Sequence, residues 1–442
     1  MKAQDLLHDG ILKSIVLFSI PLLAGNLFQQ LYNTVDSYVV GNYVSMEALA
    51  AVGQSTPIIN MLVGFFMGLS IGAGVVIAQY FGANKIEKLQ QAIHTSLALT
   101  FVLCIIFTIC GIWMSHRILI MIGSPEEVMV QATTYLQIYF LGISFSLIYN
   151  MASGILRALG DSKNPLIYLA IASILNIILD FIFVLYLDMS VAGVAIATNI
   201  AQAVSALLVM IKLVKTEEIY KVSLSKIRFH KEILMRIISI GIPAALQNSI
   251  VSFSNVIVQS YISGFGASAV AGYSTTVKLD GFMQLPVQSF SMAITTFVGQ
   301  NYGAGQMDRV RKSLYYTLAA CFSILIIGGF LMFKYRYDLI SVFTDDPETI
   351  VAGSKMIMAF APMYCFVAAC HITAGALRGV GASKVPMYSM IFCFVFLRQI
   401  YLYFATQYFP DLYTVFLGWP LTWIVNALFL SFFYYKYTKY LS

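Results

Sequence analysis

Two aspartates set inside apolar stretches define the chemistry open to this chain. Asp36 closes the run LFSIPLLAGNLFQQLYNTVDSYVVG (residues 17–41), and Asp180 sits in ILNIILDFIF. An acid at the centre of a membrane helix costs about 3 kcal/mol or more, so it is expected to face a partner or a wet cavity. Asn176 lies one helical turn before Asp180, on the same face. Thr198 follows the next turn of chain. Asp180 is eight residues before the turn at Asp188 and Thr198 seven after Val191. At 1.5 Å per residue both lie roughly 11–12 Å below one surface, and Asp36, near its own exit, lies at about 10 Å. Two carboxylates at one level in a dry site cannot both stay ionised alone. Such a pair takes up and releases one proton, or trades it for a sodium ion, and the oxygens of Asn176 and Thr198 suit either cation. A purely structural role, each acid bonding a helix neighbour, is the bland alternative. No tighter metal motif and no cofactor is expected.

The elements that must hold these groups are membrane helices. The 442 residues are 59% hydrophobic and 10% charged, with a mean hydropathy of +0.82, against about 25% charged in a soluble domain. Runs of about 20 apolar residues are long enough to cross the hydrocarbon core. Twelve spans are expected at residues 14–43, 50–80, 92–114, 130–156, 165–187, 191–213, 237–263, 269–299, 313–333, 349–377, 386–408 and 412–435. The formal charge of +6 does not signal nucleic acid. Twenty of the 26 Lys and Arg fall at the two termini and in every second connection, the asymmetry of a positive-inside topology with both termini cytoplasmic. The six cysteines lie within apolar spans at no ligand spacing and are expected to be packing residues. MKAQDLLHDGILKS lacks the form of a signal peptide and is expected to be a short amphipathic surface helix.

The chain repeats itself after about 221 residues. QYFGANKIEKLQQA at Gln79 returns as QNYGAGQMDRVRKS at Gln300, LRALGDSKNP at Leu156 as LRGVGASKVP at Leu377, and SIPLLAGNL at Ser19 as GIPAALQNS at Gly241. Six spans separate equivalents, so the repeat is parallel. The expected organisation is a first lobe at 1–213, a cytoplasmic linker at 214–236 and a second lobe at 237–442, an all-α architecture of two six-helix bundles. Pro21 and Pro243 occupy matching early turns, where proline frees a carbonyl and permits a bend. The second half has no acid matching Asp36 or Asp180. It carries Lys278, Asp280 and Arg398 instead, expected as a charge-compensated gate or ion-pair cluster. Gly64, Gly68 and Gly72 permit close helix approach. The GLSIG stretch around Ser70 formally matches a hydrolase nucleophile motif, but it lies inside a span with no strand-to-helix elbow; no enzyme is expected.

With these motifs, including ALAAVG after residue 41, the whole chain resembles the multidrug and toxic compound extrusion (MATE) family, closest in pattern to its DinF-like branch. The resemblance implies two lobes that export drug-like or metabolite compounds, amphipathic and often cationic, in exchange for H⁺ or Na⁺. It implies a cation site at Asp36, Asn176, Asp180 and Thr198, and a bend of the first helix at Pro21. The NorM-like branch uses acids of the second lobe, including one on its seventh helix; GIPAALQNSIVSFSNVIVQ has none. A monomer in a prokaryotic plasma or inner membrane, with lipids and a small-molecule substrate as its partners, is expected. The runner-up is a lipid-linked precursor flippase of the wider superfamily, which would call for a strongly cationic cavity.

Overall fold

Where water is absent, a backbone must satisfy its own hydrogen bonds, and long apolar runs without β-type alternation do so as helices. The computed structural model describes residues 5–440, leaving Lys2 and the ends of the two lobes outside, and among these residues there are helices and turns but no strand. The long helices are α1 (Ile11–Tyr43), α2 (Met46–Gly82), α3 (Ile86–Met121), α4 (Glu126–Ala158), α5 (Lys163–Tyr186), α6 (Ser190–Lys215), α7 (Lys231–Ser263), α8 (Ala267–Gly303), α9 (Met307–Lys334), α10 (Pro347–Gly379), α11 (Lys384–Tyr408) and α12 (Leu412–Lys439). Eleven are long and apolar enough to cross a membrane. The twelfth, α8, has the length but carries Lys278 and Asp280 in its middle turns. The protein is therefore a multi-pass membrane protein. Leu6 and its neighbours form a turn, not the expected surface helix: Asp5 accepts from the Leu7 and His8 amides at 2.9 and 3.0 Å, and the helix begins only at Ile11.

The duplication is written into the backbone. α1 and α7 have 33 residues each, and α2 and α8 have 37 each. The turn after α2 places Asn84 at φ +52°, and the turn after α8 places Gly305 at φ +74°. The turns that end the two LR-x-x-G motifs place Gly160 and Gly381 at φ +92° and +89°. Each pair is 221 residues apart. A left-handed backbone favours glycine, with asparagine the tolerated substitute, so the motifs recur because the same turns recur.

The chain divides into two compact units, one of Ala24–Ile242 and one of Asp5–Leu23 with residues 243–440. These differ from lobes drawn at 213 and 237, because α1 and α7 each begin in one unit and end in the other. In the first unit Phe66, Leu97, Phe140 and Ile155 form a core completed by Val222 of the linker and by Ile233, Ile237 and Ile240 of α7. In the second, Phe290, Phe297, Tyr364 and Trp423 are joined by Leu6, Ile15, Phe18 and Leu22. Gly72 of α2 lies so close to α7 that a Cβ would meet Gly241 Cα at 2.5 Å. The GLSIG stretch is thus a helix-crossing surface. Of the six cysteines four are buried, and Cys110 is exposed on α3, where Ile105, Ile109 and Trp113 also face outward.

Candidate functional site

The first unit brings the four expected residues into its interior. Asp180 is fully buried, and Asp36, Asn176 and Thr198 are each at least nine-tenths buried. α5 supplies Asn176 and Asp180 at adjacent turns of one face, α6 supplies Thr198, and α1 supplies Asp36. α5 and α6 can carry these groups side by side because the hairpin between them is tight. The Met189 amide donates to the Phe183 carbonyl at 2.9 Å, and a Cβ on Gly193 would meet Phe183 Cβ at 2.9 Å. The last turn of α5, Ile182–Tyr186, widens into a π-helix starting two residues after Asp180, a form of bulge frequent at functional sites.

The carboxylates of Asp36 and Asp180 lie within electrostatic reach of one another, and neither Asp180 oxygen has a hydrogen-bond partner. Around them is a set of buried polar atoms without a hydrogen-bond partner: Asp36 Oδ1, both Asp180 oxygens, both amide atoms of Asn176, Thr198 Oγ1 and Gln202 Oε1. Each such atom costs about 1–3 kcal/mol if left bare, so seven together mark a place built to bind something. The set is mostly oxygen with two carboxylates, which fits a proton or a monovalent hard cation. Among the described residues no group of three or more His, Cys, Asp or Glu converges anywhere. A small cavity beside the pair is lined by Tyr32, Ser173, Asn176, Thr198 and Gln202.

Four neighbours, Tyr32, Ser173, Gln202 and Tyr135, escaped the sequence reading. Tyr32 and Gln202 lie one turn from Asp36 and Thr198 on the same helical faces, a spacing that was readable. Tyr135 of α4, buried and within electrostatic reach of both acids, had no such signal.

The second unit corrects one expectation. Among the described residues no ion pair joins Lys278, Asp280 and Arg398. Lys278 is exposed, with Nζ 5.7 Å from the Phe343 ring centroid. Asp280 accepts from Gln284 Nε2 at 3.4 Å. Arg398 is fully buried and donates to Ser254 Oγ at 3.2 Å, Asn255 Oδ1 at 3.1 Å and Thr422 Oγ1 at 2.8 Å, with Phe394 and Trp419 against its guanidinium. Residues two apart on a helix point to different faces, so Lys278 and Asp280 diverge. Pro21 and Pro243 lie inside α1 and α7, as spaced, close to where each helix passes from one unit to the other.

A duplicated bundle of membrane helices with a buried acid pair in one half defines a class of polytopic transport protein. The MatE family model matches residues 21–182 and again 243–404, and the chain belongs to that family. It is 30% identical over 382 residues to the probable multidrug resistance protein YpnP of Bacillus subtilis (strain 168), covering 86% of this chain and 85% of that protein. It is 24% identical over 386 residues to the multidrug export protein MepA of Staphylococcus aureus (strain MRSA252), covering 86% and 82%. Its fold matches a MOP superfamily transporter from Pyrococcus furiosus with a TM-score of 0.93 at 23% identity, over 100% of this chain and 99% of that one. An outward-facing multidrug resistance MATE family transporter matches with a TM-score of 0.94 at 23% identity and the same coverage.

Proposed function

We propose that this protein is a secondary multidrug efflux antiporter. It exports amphipathic, often cationic organic compounds in exchange for H⁺ or Na⁺ carried by Asp36 and Asp180, with Asn176 and Thr198 as supporting ligands. One observation carries the reading: two neighbouring buried carboxylates ringed by polar atoms that have no hydrogen-bond partner. The names of the relatives, multidrug resistance and multidrug export proteins, support the substrate class. Loading the pair with one cation removes a charge from the end of α1 beyond Pro21, and unloading restores it. Helix α1 is therefore the element whose energy depends most directly on the coupling ion, and the proline is where it bends most cheaply. The flippase reading has less support, since Lys278 and Arg398 have separate partners and supply no joint cationic surface.

The test is ethidium export from reconstituted vesicles under separately imposed pH and sodium gradients, with Asp36→Asn beside the wild type. Export driven by one gradient and reduced to background in a folded Asp36→Asn names the ion and supports antiport through this pair. Export unaffected by the substitution sinks it.

A further inference from the structure

The linker between the repeats builds a cleft of its own in the first unit. It has a volume of ≈ 690 Å³ and lies between the amino end of α3 and residues 219–230, with Lys221, Ser223, Ser225, Lys226, Arg228 and His230 on the linker side. The linker is held in place there. Gln90 Nε2 donates to the Ile219 carbonyl, the Ser223 amide donates to His94 Nε2 at 3.1 Å, and Val222 is buried in the core. His230 Nδ1 meets Thr95 Oγ1 at 3.1 Å, and its Nε2 accepts from Arg228 Nε at 3.3 Å. Both imidazoles thus serve as scaffolding, and burial together with the neighbouring Arg228 holds His230 below the usual histidine range.

The cations are left over. Lys221 and Lys226 have no side-chain hydrogen bond or ion pair among the described residues, and Arg228 uses only Nε. The one acid lining the cleft, Glu87, accepts from Gln91 at 3.2 Å. The Ser223 and Ser225 hydroxyls stand 3.1 Å apart. At the matching hairpin ends of the two units the equivalent cations are both engaged, Lys88 Nζ with Glu232 at 3.4 Å and Arg309 with the chain itself. Arg309, 221 residues after Lys88, donates to the Leu6 and Asp9 carbonyls at 3.1 and 2.8 Å and to Asn301 Oδ1 at 2.7 Å. The chain covers the hairpin end in both units, and in the first it is the linker's own Lys221, Lys226 and Arg228 that remain around an open cleft.

We propose that this cleft binds a phosphate-bearing anion. Two ammonium groups, a guanidinium with free terminal nitrogens and two adjacent hydroxyls supply the charge-assisted donors that several phosphate oxygens require, and the volume suits a headgroup or a nucleotide-sized solute. By the charge rule the cleft faces the cytoplasm, where anionic lipid headgroups and soluble phosphates are both at hand. The bound group would fix the connection through which α7 starts, and the assignment does not depend on the antiport reading.

The full-length protein in nanodiscs tests this through its thermal unfolding midpoint. One arm titrates inorganic pyrophosphate in phosphatidylcholine discs; the other replaces phosphatidylcholine stepwise with phosphatidylglycerol in phosphate-free buffer. The expected result is stabilisation of about 2 °C or more in at least one arm, with the responding arm naming the source. It should be lost in Lys221→Ala/Lys226→Ala/Arg228→Ala and kept in Lys384→Ala/Lys436→Ala/Lys439→Ala, which removes the same charge elsewhere on the same expected side. These residues are solvent-exposed, so both variants should fold. No stabilisation in either arm, equal stabilisation in the cleft variant, or equal loss in the control would overturn the proposal.

Discussion

At the scale of single residues, two buried polar side chains differ in how fully they are answered. Arg398 is enclosed, and its terminal nitrogens are answered by three oxygens and its guanidinium by two ring faces, with only Nε left without a partner. Gln202 presents a buried carbonyl oxygen that nothing answers. Removing a satisfied group strands its partners, while removing an unsatisfied one relieves a penalty. Arg398→Leu should therefore lower stability by roughly 2–4 kcal/mol. Gln202→Leu should leave the unfolding midpoint unchanged or raised, while weakening the apparent affinity for the coupling ion about tenfold. Thermal unfolding and ion-dependent export of the two variants check this. A destabilised Gln202→Leu with wild-type ion dependence would show that Gln202 is a strut.

At the scale of helices, close approach and tight turns decide where side chains can go. The α2–α7 crossing depends on Gly72 and Gly241, whose backbones leave no room for a side chain, whereas a Cβ on Gly53 of the same α2 would meet nothing within 4 Å. Gly72→Val should therefore reduce stability by about 2–3 kcal/mol or prevent assembly, with Gly53→Ala nearly neutral, as read from the yield of monodisperse protein and its melting curve. Equal behaviour of the two would mean that the crossing relaxes freely. The helices themselves were legible: all twelve expected spans coincide with long helices, because an apolar run of that length in lipid has little alternative. Their ends were less so. The helices run further, α2 reaching 37 residues, whereas about 20 suffice to cross the hydrocarbon core, so hydropathy does not mark where they end.

For the whole molecule, the repeat was plain in sequence while the exchange of helix starts was not. Val222, Ile233, Ile237 and Ile240 belong to the first unit's core although they follow its last helix in sequence. A fragment of residues 1–242 should consequently be more stable than residues 1–213 by about 5 kcal/mol or more, taking about 1.5–3 kcal/mol for each buried aliphatic side chain; unfolding of the two fragments in detergent measures the difference. Equal stability would mean that these residues add nothing to that core.

Sequence alone determined the number and order of the helices, the internal duplication, and the presence of Asp36, Asn176, Asp180 and Thr198 within them. These follow from apolar length, from recurring phrases and from the cost of an acid in lipid, all of which are local or countable. The tertiary structure decided which polar groups meet. It placed Tyr135 near the acid pair, left Lys278, Asp280 and Arg398 without an ion pair between them, and left the linker cations around an open cleft. Such meetings depend on how helices are rotated and packed against one another, and no spacing along one chain segment records that rotation.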